Sequence, residues 1–371
     1  MNSVDPDRPH TEWTARRTVR NLAVLLIYWA AACLALTCFM ERLGFREDAD
    51  RFDLPSMLDH TAARPFVYRA LIPIIVNSAT HAISERQRQE LGERLNESSH
   101  LRGRFFRAEG LTAWTPELSV AYHLVYYLDF MALFLTLVTL RLIARASGHS
   151  SGFEADFLPV AFCVVLPIVF LAGGYFYDFP ELLFLSLAYW TALKGRYWML
   201  VLIVTIAAIN KETAILIPIL TFPALRDHLG QRKALVVCIA AGVCALIALS
   251  AVRYSLTLES NHGAPVELHF FENVRFWLTV PNYLHFTSIL APGIPFPKPE
   301  NVLCLVAFGG VVIFGWKSMR PVERRLLIVA ASINIPLSLI FGYPGEVRDL
   351  FLMLVPLYIA ALRFFEHKKG Y

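Results

Sequence analysis

The sequence consists largely of long apolar segments joined by short polar turns, and this pattern constrains the fold more than any other feature. A bilayer core offers no water to satisfy backbone hydrogen bonds, so a chain of this kind crosses it as helices. Only 17% of the residues are charged, against about 25% in a soluble domain. We predict an all-α, polytopic transmembrane helical bundle of about 10 helices, forming a single integral membrane domain over 1–371. The apolar segments cover residues 21–40, 118–140, 157–174, 179–193, 197–209, 213–225, 234–252, 302–316, 326–342 and 350–364.

The distribution of Lys and Arg predicts the orientation, because these residues favour cytoplasmic loops. The pair 197–209 and 213–225 forms either one long broken helix or two short helices. Two helices keep the later basic loops on the same side as the basic N-terminal tail, whereas one helix moves them all outside. We therefore predict two helices, a cytoplasmic tail at 1–20, both termini in the cytoplasm and a multi-pass location in the cell inner membrane.

Two longer polar segments fall on the predicted outer side. Within 41–117, the stretch 66–83 is apolar, but Arg69, Pro73 and Asn77 interrupt it. We predict that 41–117 is one extracytoplasmic loop that carries membrane-surface helices; a membrane-spanning helix at 66–83 is the open alternative. The second extracytoplasmic loop, 254–300, mixes aromatic residues with prolines, a composition that suits the membrane interface.

Ionisable residues collect in four turns on the predicted outer side. Charges close to a bilayer are costly and mark functional sites by default. Each turn alone is read more simply as a solvated turn. However, three of the four mix acids with bases and the fourth carries two acids, whereas the short cytoplasmic loops are mostly basic. We therefore expect the chemistry of the protein on the outer face. The four clusters lie within 48–69, 175–181, 210–212 and 345–349.

One further carboxylate, Asp129, falls near the middle of the second apolar segment. Tyr122 and Tyr126 lie at helical spacing on nearly the same face. A carboxylate at this depth normally faces protein or a water-filled cavity. A structural hydrogen bond to a neighbouring helix and a role in transport are both open for Asp129.

Several functional classes are excluded by absent motifs. The chain has no Walker A sequence, no GxGxxG and no HExxH, and its net charge of +4 gives no indication of a nucleic-acid surface. Its six cysteines lie in apolar segments without metal-ligand spacing, so they are read as small apolar residues, and no metal site is predicted.

The pattern resembles the GT-C superfamily of integral-membrane glycosyltransferases, and more closely a group of bacterial membrane proteins within or near it. A first helix, a long acidic outer loop and many short later helices carry the architectural similarity over most of the chain. The motifs that carry it are LDHTAARPFVYR at 58–69, YDFP at 177–180, NKET at 210–213 and EVR at 346–348.

The resemblance implies transfer of a sugar from a polyprenyl-phosphate carrier to a glycan or glycolipid acceptor on the outer face, in cell-surface glycan assembly. Membrane lipids are the other implied partners, and the lipid-linked sugar is a substrate, so no cofactor is implied; a need for divalent metal is left open. In this superfamily an acidic residue of the first outer loop deprotonates the acceptor, and cations hold the phosphate.

The implied site residues follow from the matching motifs. The usual acidic pair after the first helix is not cleanly present, so Asp48, Asp50, Asp53 and Asp59 compete for the role of base. We predict Asp59 or Asp53 as the base and Asp178 as a second catalytic acid. The predicted substrate-binding residues are Arg64, Tyr68, Arg69, Lys211, Glu212, Glu346 and Arg348.

The sequence leaves two other functions open. A transporter or flippase for a glycolipid or small anion would use Asp129 as its coupling carboxylate. A non-catalytic subunit of a glycan-assembly complex would tolerate loss of the acids in the outer loops.

Overall fold

The computed structural model describes residues 10–46, 49, 51–98, 115–148, 153–256 and 267–367. Over these residues the fold is all-α, as predicted, apart from one two-stranded hairpin. The helices are α1 (His10–Arg42), α2 (Leu54–Leu58), α3 (Leu71–His81), α4 (Glu85–Ser98), α5 (Pro116–Ala146), α6 (Phe153–Val169), α7 (Asp178–Leu193), α8 (Tyr197–Asn210), α9 (Ile217–Leu229), α10 (Gln231–Leu256), α11 (Phe270–Leu278), α12 (Val302–Ser318), α13 (Pro321–Phe341) and α14 (Leu354–His367). Four 3₁₀ helices cover Phe66–Tyr68, Glu212–Leu216, Val280–Leu284 and Val347–Met353, and the strands are β1 (Phe286–Thr287) and β2 (Phe296–Pro297).

Four helices of the described chain, α1, α5, α10 and α13, are long and apolar enough to cross a membrane. The other six predicted segments also coincide with helices, namely α6, α7, α8, α9, α12 and α14. These six are shorter, with 13 to 17 residues each, against the ~20 residues that a straight span needs. The apolar helices mark the chain as a membrane protein, and the number of ten spans remains a prediction.

The apolar pair 197–225 is divided in the structure as expected. Helix α8 ends at Asn210, and Lys211 is extended, with φ −158° and ψ 136°. The 3₁₀ turn Glu212–Leu216 follows, and α9 begins at Ile217. The two-helix interpretation of this region is therefore confirmed, and the break leaves Lys211, Glu212 and Thr213 partly exposed while Asn210 is buried.

The segment 66–83 contains a helix that is too short to cross a bilayer. Helix α3 has 11 residues, which is roughly 16 Å of length. The backbone N–H of Ala70, just before it, donates to the carbonyl oxygen of Ile209 at 3.0 Å, which ties the first loop to the end of α8. The alternative of a straight span over 66–83 therefore finds no support, while the side of the membrane on which α3 lies stays a prediction.

The helices run between two polar layers. Helices α6 and α13 each have one end at the turns that contain Asp178 and Glu346, and the opposite ends carry Asp156 and Glu323. Asp156 is buried and pairs with Arg20 at 2.6 Å and with Arg141 at 2.7 Å. The loops at these ends were predicted to be mostly basic, and the buried acids that pair with their basic residues were not predicted. Glu323 pairs with Arg363, at 2.7 Å, and with Arg320, also at 2.7 Å.

Candidate functional site

A cavity of about 400 Å³ opens at the end of the bundle opposite Asp156 and Glu323. Residues from the first loop, the α6–α7 turn, the α8–α9 break and the segment after α13 line it. All four predicted clusters therefore contribute to the lining. The first, 48–69, does so only through its C-terminal part. The charged lining residues are Arg69, Asp178, Glu181, Lys211, Glu212, Arg253, Glu267, Glu346, Arg348 and Asp349.

Arg69 and Glu212 form a bidentate pair at one wall of the cavity. Arg69 donates from Nη2 to Oε1 at 2.7 Å and from Nε to Oε2 at 3.2 Å. A third hydrogen bond runs from its Nη1 to the hydroxyl of Tyr177. Burial alone would raise the pKa of Glu212, but the charge and hydrogen bonds of Arg69 outweigh it and lower the pKa to about 2. This pair is therefore ionised and fixed in orientation at neutral pH.

Lys211 enters the cavity from the extended break between α8 and α9. Its Nζ lies 2.6 Å from Oε2 of Glu181 and 3.5 Å from Oδ1 of Asp178. The hydroxyl of Thr213 donates to the other oxygen of Glu181 at 3.0 Å. Helix α7 places Asp178 and Glu181 three residues apart on one face, and so both reach the same ammonium group.

Arg348 lies between two carboxylates. Its Nη1 is 3.3 Å from Oδ2 of Asp178, and its Nη2 is 2.5 Å from Oε1 of Glu346. The Asp178 oxygen also accepts the backbone N–H of Tyr175 at 2.9 Å. The side chain of Arg348 is only 6% exposed, so these pairs act with little screening by water.

Two stacked tyrosine rings lie against the guanidinium groups of Arg69 and Arg348. The rings of Tyr175 and Tyr177 lie 5.0 Å apart and nearly parallel, at 13°. Arg348 is positioned 4.4 Å from the Tyr175 centroid, and Arg69 4.6 Å from the Tyr177 centroid. The motif YFYD thus orients two cations through its aromatic faces as well as through Asp178.

The protonation of Glu346 is shifted toward the neutral acid. Burial is the main cause that raises its pKa to about 7; Arg348 lowers the pKa and Asp349 raises it. Burial also raises the pKa of Asp349, whose Oδ2 is buried and accepts no hydrogen bond from the described residues. Glu346 can therefore exchange a proton near neutral pH.

The charges of the cavity nearly balance. Four basic and six acidic side chains line it, so the full set of ionised groups would be net negative. Burial raises the pKa of Glu346 and that of Asp349, which favours their neutral forms and reduces that excess. A smaller excess of negative charge favours binding of an anion in this cavity.

The structure does not bring every predicted residue to the cavity. Asp53 caps α2, accepting the backbone N–H of Ser56 at 2.9 Å, and Asp59 lies exposed at the other end of this helix. Neither lines the cavity, so the structure gives no support to either as the base. Arg64 and Tyr68 also lie outside the lining, and Tyr68 packs beneath the guanidinium of Arg253 at 5.2 Å. Asp48 and Asp50 fall outside the described residues.

Asp129 is fully buried within α5. Neither of its carboxyl oxygens has a hydrogen-bond partner in the described part of the chain. It does not line the cavity. The structure thus provides no partner for the structural hydrogen bond considered from the sequence.

The lining also includes polar residues outside the four predicted clusters, which sequence reasoning missed. Glu267 and Tyr343 hydrogen-bond to each other at 2.7 Å at the cavity rim, and Arg51 contacts both. Arg253 and Asn334 also line the cavity. A usable signal existed for Asn334, a polar residue inside the apolar segment 326–342, but none distinguishes the other three.

A metal site is not apparent among the described residues, since no group of three or more His, Cys, Asp or Glu side chains is arranged to hold an ion. Five of the six carboxylates that line the cavity, all but Asp349, instead pair with Arg or Lys. Comparison with known proteins finds no matching family model, no matching curated protein and no matching solved structure. The function is therefore inferred from the chemistry of the cavity and from the motif resemblance.

Proposed function

We propose that the protein is a membrane-embedded glycosyltransferase that moves a sugar from a polyprenyl-phosphate carrier to an acceptor hydroxyl in this cavity. The observation that carries the proposal is the convergence of Arg69, Lys211 and Arg348, from three distant parts of the chain, on one partly enclosed space. The resemblance of the surrounding motifs to GT-C enzymes supports the same function.

The cations suit a phosphate leaving group. Arg presents several N–H donors in a planar fork that matches phosphate oxygens, while Lys acts as a point charge. All three are held in place by carboxylates before substrate arrives, so little reorganisation is needed during transfer. A cavity of about 400 Å³ lies at the small end of the range for ligand pockets. It suits the sugar phosphate, and the polyprenyl chain would remain in the bilayer.

Glu346 is the proposed base, replacing Asp53 and Asp59. It accepts the proton of the acceptor hydroxyl, the acceptor oxygen forms a bond to the anomeric carbon, and the bond from that carbon to the phosphate oxygen breaks. The phosphate leaves with the electron pair. Because protonated Glu346 no longer neutralises Arg348, the guanidinium becomes available to the phosphate as charge develops on it.

The proposed location is the outer face of the cell inner membrane, with both termini in the cytoplasm. Its support is the excess of Lys and Arg in the loops opposite the cavity. Single cysteines in a cysteine-free background test it through Leu95→Cys and Lys211→Cys, both of which should react with an impermeant thiol reagent from outside. Labelling of position 95 alone from the inside would restore a membrane-spanning 66–83, and labelling of both positions only from the inside would reverse the assigned side.

Transfer itself is tested with the purified protein in liposomes, using polyprenyl-phosphate sugars and candidate acceptor glycolipids. Arg348→Ala and Glu346→Gln should each abolish transfer. Arg86→Ala, which removes an exposed pair with Glu90, is the matched control and should retain activity. Transfer that persists in the Arg348→Ala and Glu346→Gln variants would refute the site, and lack of transfer by the wild-type protein with every donor would refute the function.

The transporter alternative rests on Asp129, whose buried carboxyl lacks a partner among the described residues. It requires that Asp129→Asn abolishes proton-coupled flux of a glycolipid or small anion while Glu346→Gln does not. A non-catalytic subunit requires that both variants leave glycan levels unchanged. The three functions therefore predict different results for the same two substitutions.

A further inference from the structure

Helix α11 presents large apolar side chains outward although it is only nine residues long. Phe271 is 81% exposed and Leu278 is 76% exposed, and their spacing of seven places them on one face of the helix. The apolar exposure continues through Val280 and Leu284 in the following 3₁₀ turn. This surface has no partner within the described chain.

The opposite face of α11 is attached to the end of α13. The side-chain amide of Asn273 is buried and donates to the carbonyl oxygen of Gly342 at 2.6 Å and to that of Leu339 at 3.3 Å. The backbone N–H of His269 donates to the carbonyl oxygen of Ile340 at 2.8 Å. Together these bonds satisfy carbonyl groups that the end of α13 would otherwise leave without partners.

The segment held by α11, residues 342–349, carries the proposed base. Phe276 packs so closely against Gly345 that a Cβ there would lie 3.0 Å from the ring, and Gly345 also has a φ of +80°. Glu346 follows directly. At Gly342, a Cβ would lie 2.4 Å from Oδ2 of Asp349, so the two ends of the segment are packed against each other. Any movement of α11 must therefore displace this wall of the cavity.

We propose that α11 is a membrane-surface clamp: its exposed face lies in the boundary between headgroups and acyl chains of the protein's own bilayer, and Asn273 transmits that attachment to segment 342–349. The bilayer is the fitting partner because α13, to whose end α11 is bonded, is one of the helices able to span it. Trp277 and Tyr283, which flank the exposed face, are residue types enriched at that boundary.

The clamp makes Asn273 a positioning residue for Glu346 and Arg348. Without it, 342–349 loses its contact with α11, and the 2.5 Å pair between Glu346 and Arg348 is no longer held from outside the segment. The clamp acts on the site of the proposed function. Only its effect on catalysis rests on that function; the membrane contact and the coupling to segment 342–349 do not. Its tests therefore use readouts that are independent of sugar transfer.

The first test measures depth in phosphatidylglycerol nanodiscs. An environment-sensitive fluorophore is attached to Phe271→Cys, Leu278→Cys or, as control on the polar face, Glu272→Cys, in a cysteine-free background. Lipids with a nitroxide near the headgroup should quench positions 271 and 278 at least twofold more than position 272. Equal quenching at the three positions would overturn the membrane contact.

The second test measures coupling by hydrogen exchange of segment 342–349 in the same nanodiscs. Asn273→Ala and the double variant Phe271→Ser/Leu278→Ser should each raise exchange there at least fivefold, with no change in α4. Asn273→Gln, which keeps the amide donor, should restore part of the protection, and Val306→Ser, at a similarly exposed apolar position on α12, should have no effect. Unchanged exchange in Asn273→Ala would overturn the coupling, whether or not the protein transfers sugar.

Discussion

Arg348 and Asp178 lie 170 residues apart in the chain, yet Nη1 of the arginine is 3.3 Å from Oδ2 of the aspartate. This pair joins the segment after α13 to the start of α7. Since Asp178 also contacts Lys211 and the backbone of Tyr175, it is the point where three of the four predicted clusters meet.

Asp178→Ala should therefore destabilise the protein strongly. The substitution leaves Arg348 and Lys211 each with one anionic partner fewer in a buried site, a change that typically costs about 3–5 kcal/mol. Unfolding in detergent micelles measures it. Glu90→Ala, which breaks the exposed pair with Arg86, is the control and should cost less than about 1 kcal/mol. A loss as small as the control's would contradict the central role of Asp178.

The rate of transfer should rise with pH through about 7 in the wild-type protein. Glu346 must be deprotonated to accept a proton, and its pKa is raised to about 7, so kcat/KM should fall about tenfold per pH unit below that value. Glu346→Asp should retain a shifted profile, whereas Glu346→Gln should be inactive at every pH. A flat profile between pH 5.5 and 8 would exclude Glu346 as the base.

Acid should weaken the fold through Glu212. Its folded pKa of about 2 lies below the ordinary value near 4.3, so its stabilising contribution is fully present above the ordinary value. That contribution is lost as the pH falls through the folded pKa. Between these limits the free energy of unfolding of the wild type should fall by about 1–3 kcal/mol more than that of Glu212→Gln. The figure allows for screening by water, because the carboxylate paired with Arg69 is partly exposed.

The comparison for this prediction is the pH dependence of thermal unfolding. Glu90→Gln, at an exposed position, should follow the wild-type curve. Curves for Glu212→Gln and the wild type that run parallel from pH 5 to pH 2 would show that the pair with Arg69 does not stabilise the folded state.

Loss of both early-loop acids should leave transfer intact. Asp59→Asn removes an exposed side chain outside the cavity lining, and Asp53→Ala removes a helix cap worth about 1 kcal/mol. The double variant should therefore keep its transfer rate within about twofold under conditions where it is folded. Complete loss of transfer with unchanged thermal stability would return the base to the first loop.

Much of the architecture was available from hydropathy and charge. The apolar segments coincide with helices because lipid forces each one to satisfy its own backbone hydrogen bonds. The division at Asn210–Glu212 followed from loop charge alone. Six predicted site residues line the cavity, namely Arg69, Asp178, Lys211, Glu212, Glu346 and Arg348. All but Arg69 stand in short polar turns between apolar helices, where the cost of burying a charge makes the pattern informative.

Only the tertiary structure decided which acids share the site. Asp53, Asp59 and Glu346 have the same side-chain chemistry and all fall in predicted outer turns, so no local pattern separates them. The end of α13 is bonded to α11 and Arg348 pairs with Asp178 of α7, and Glu346 is buried beside Arg348, whereas Asp53 caps a short helix and Asp59 faces outward. Hydropathy and loop charge, which act locally, determined the helices and their order. Burial and pairing between residues up to 170 positions apart determined which carboxylate can exchange a proton near neutral pH.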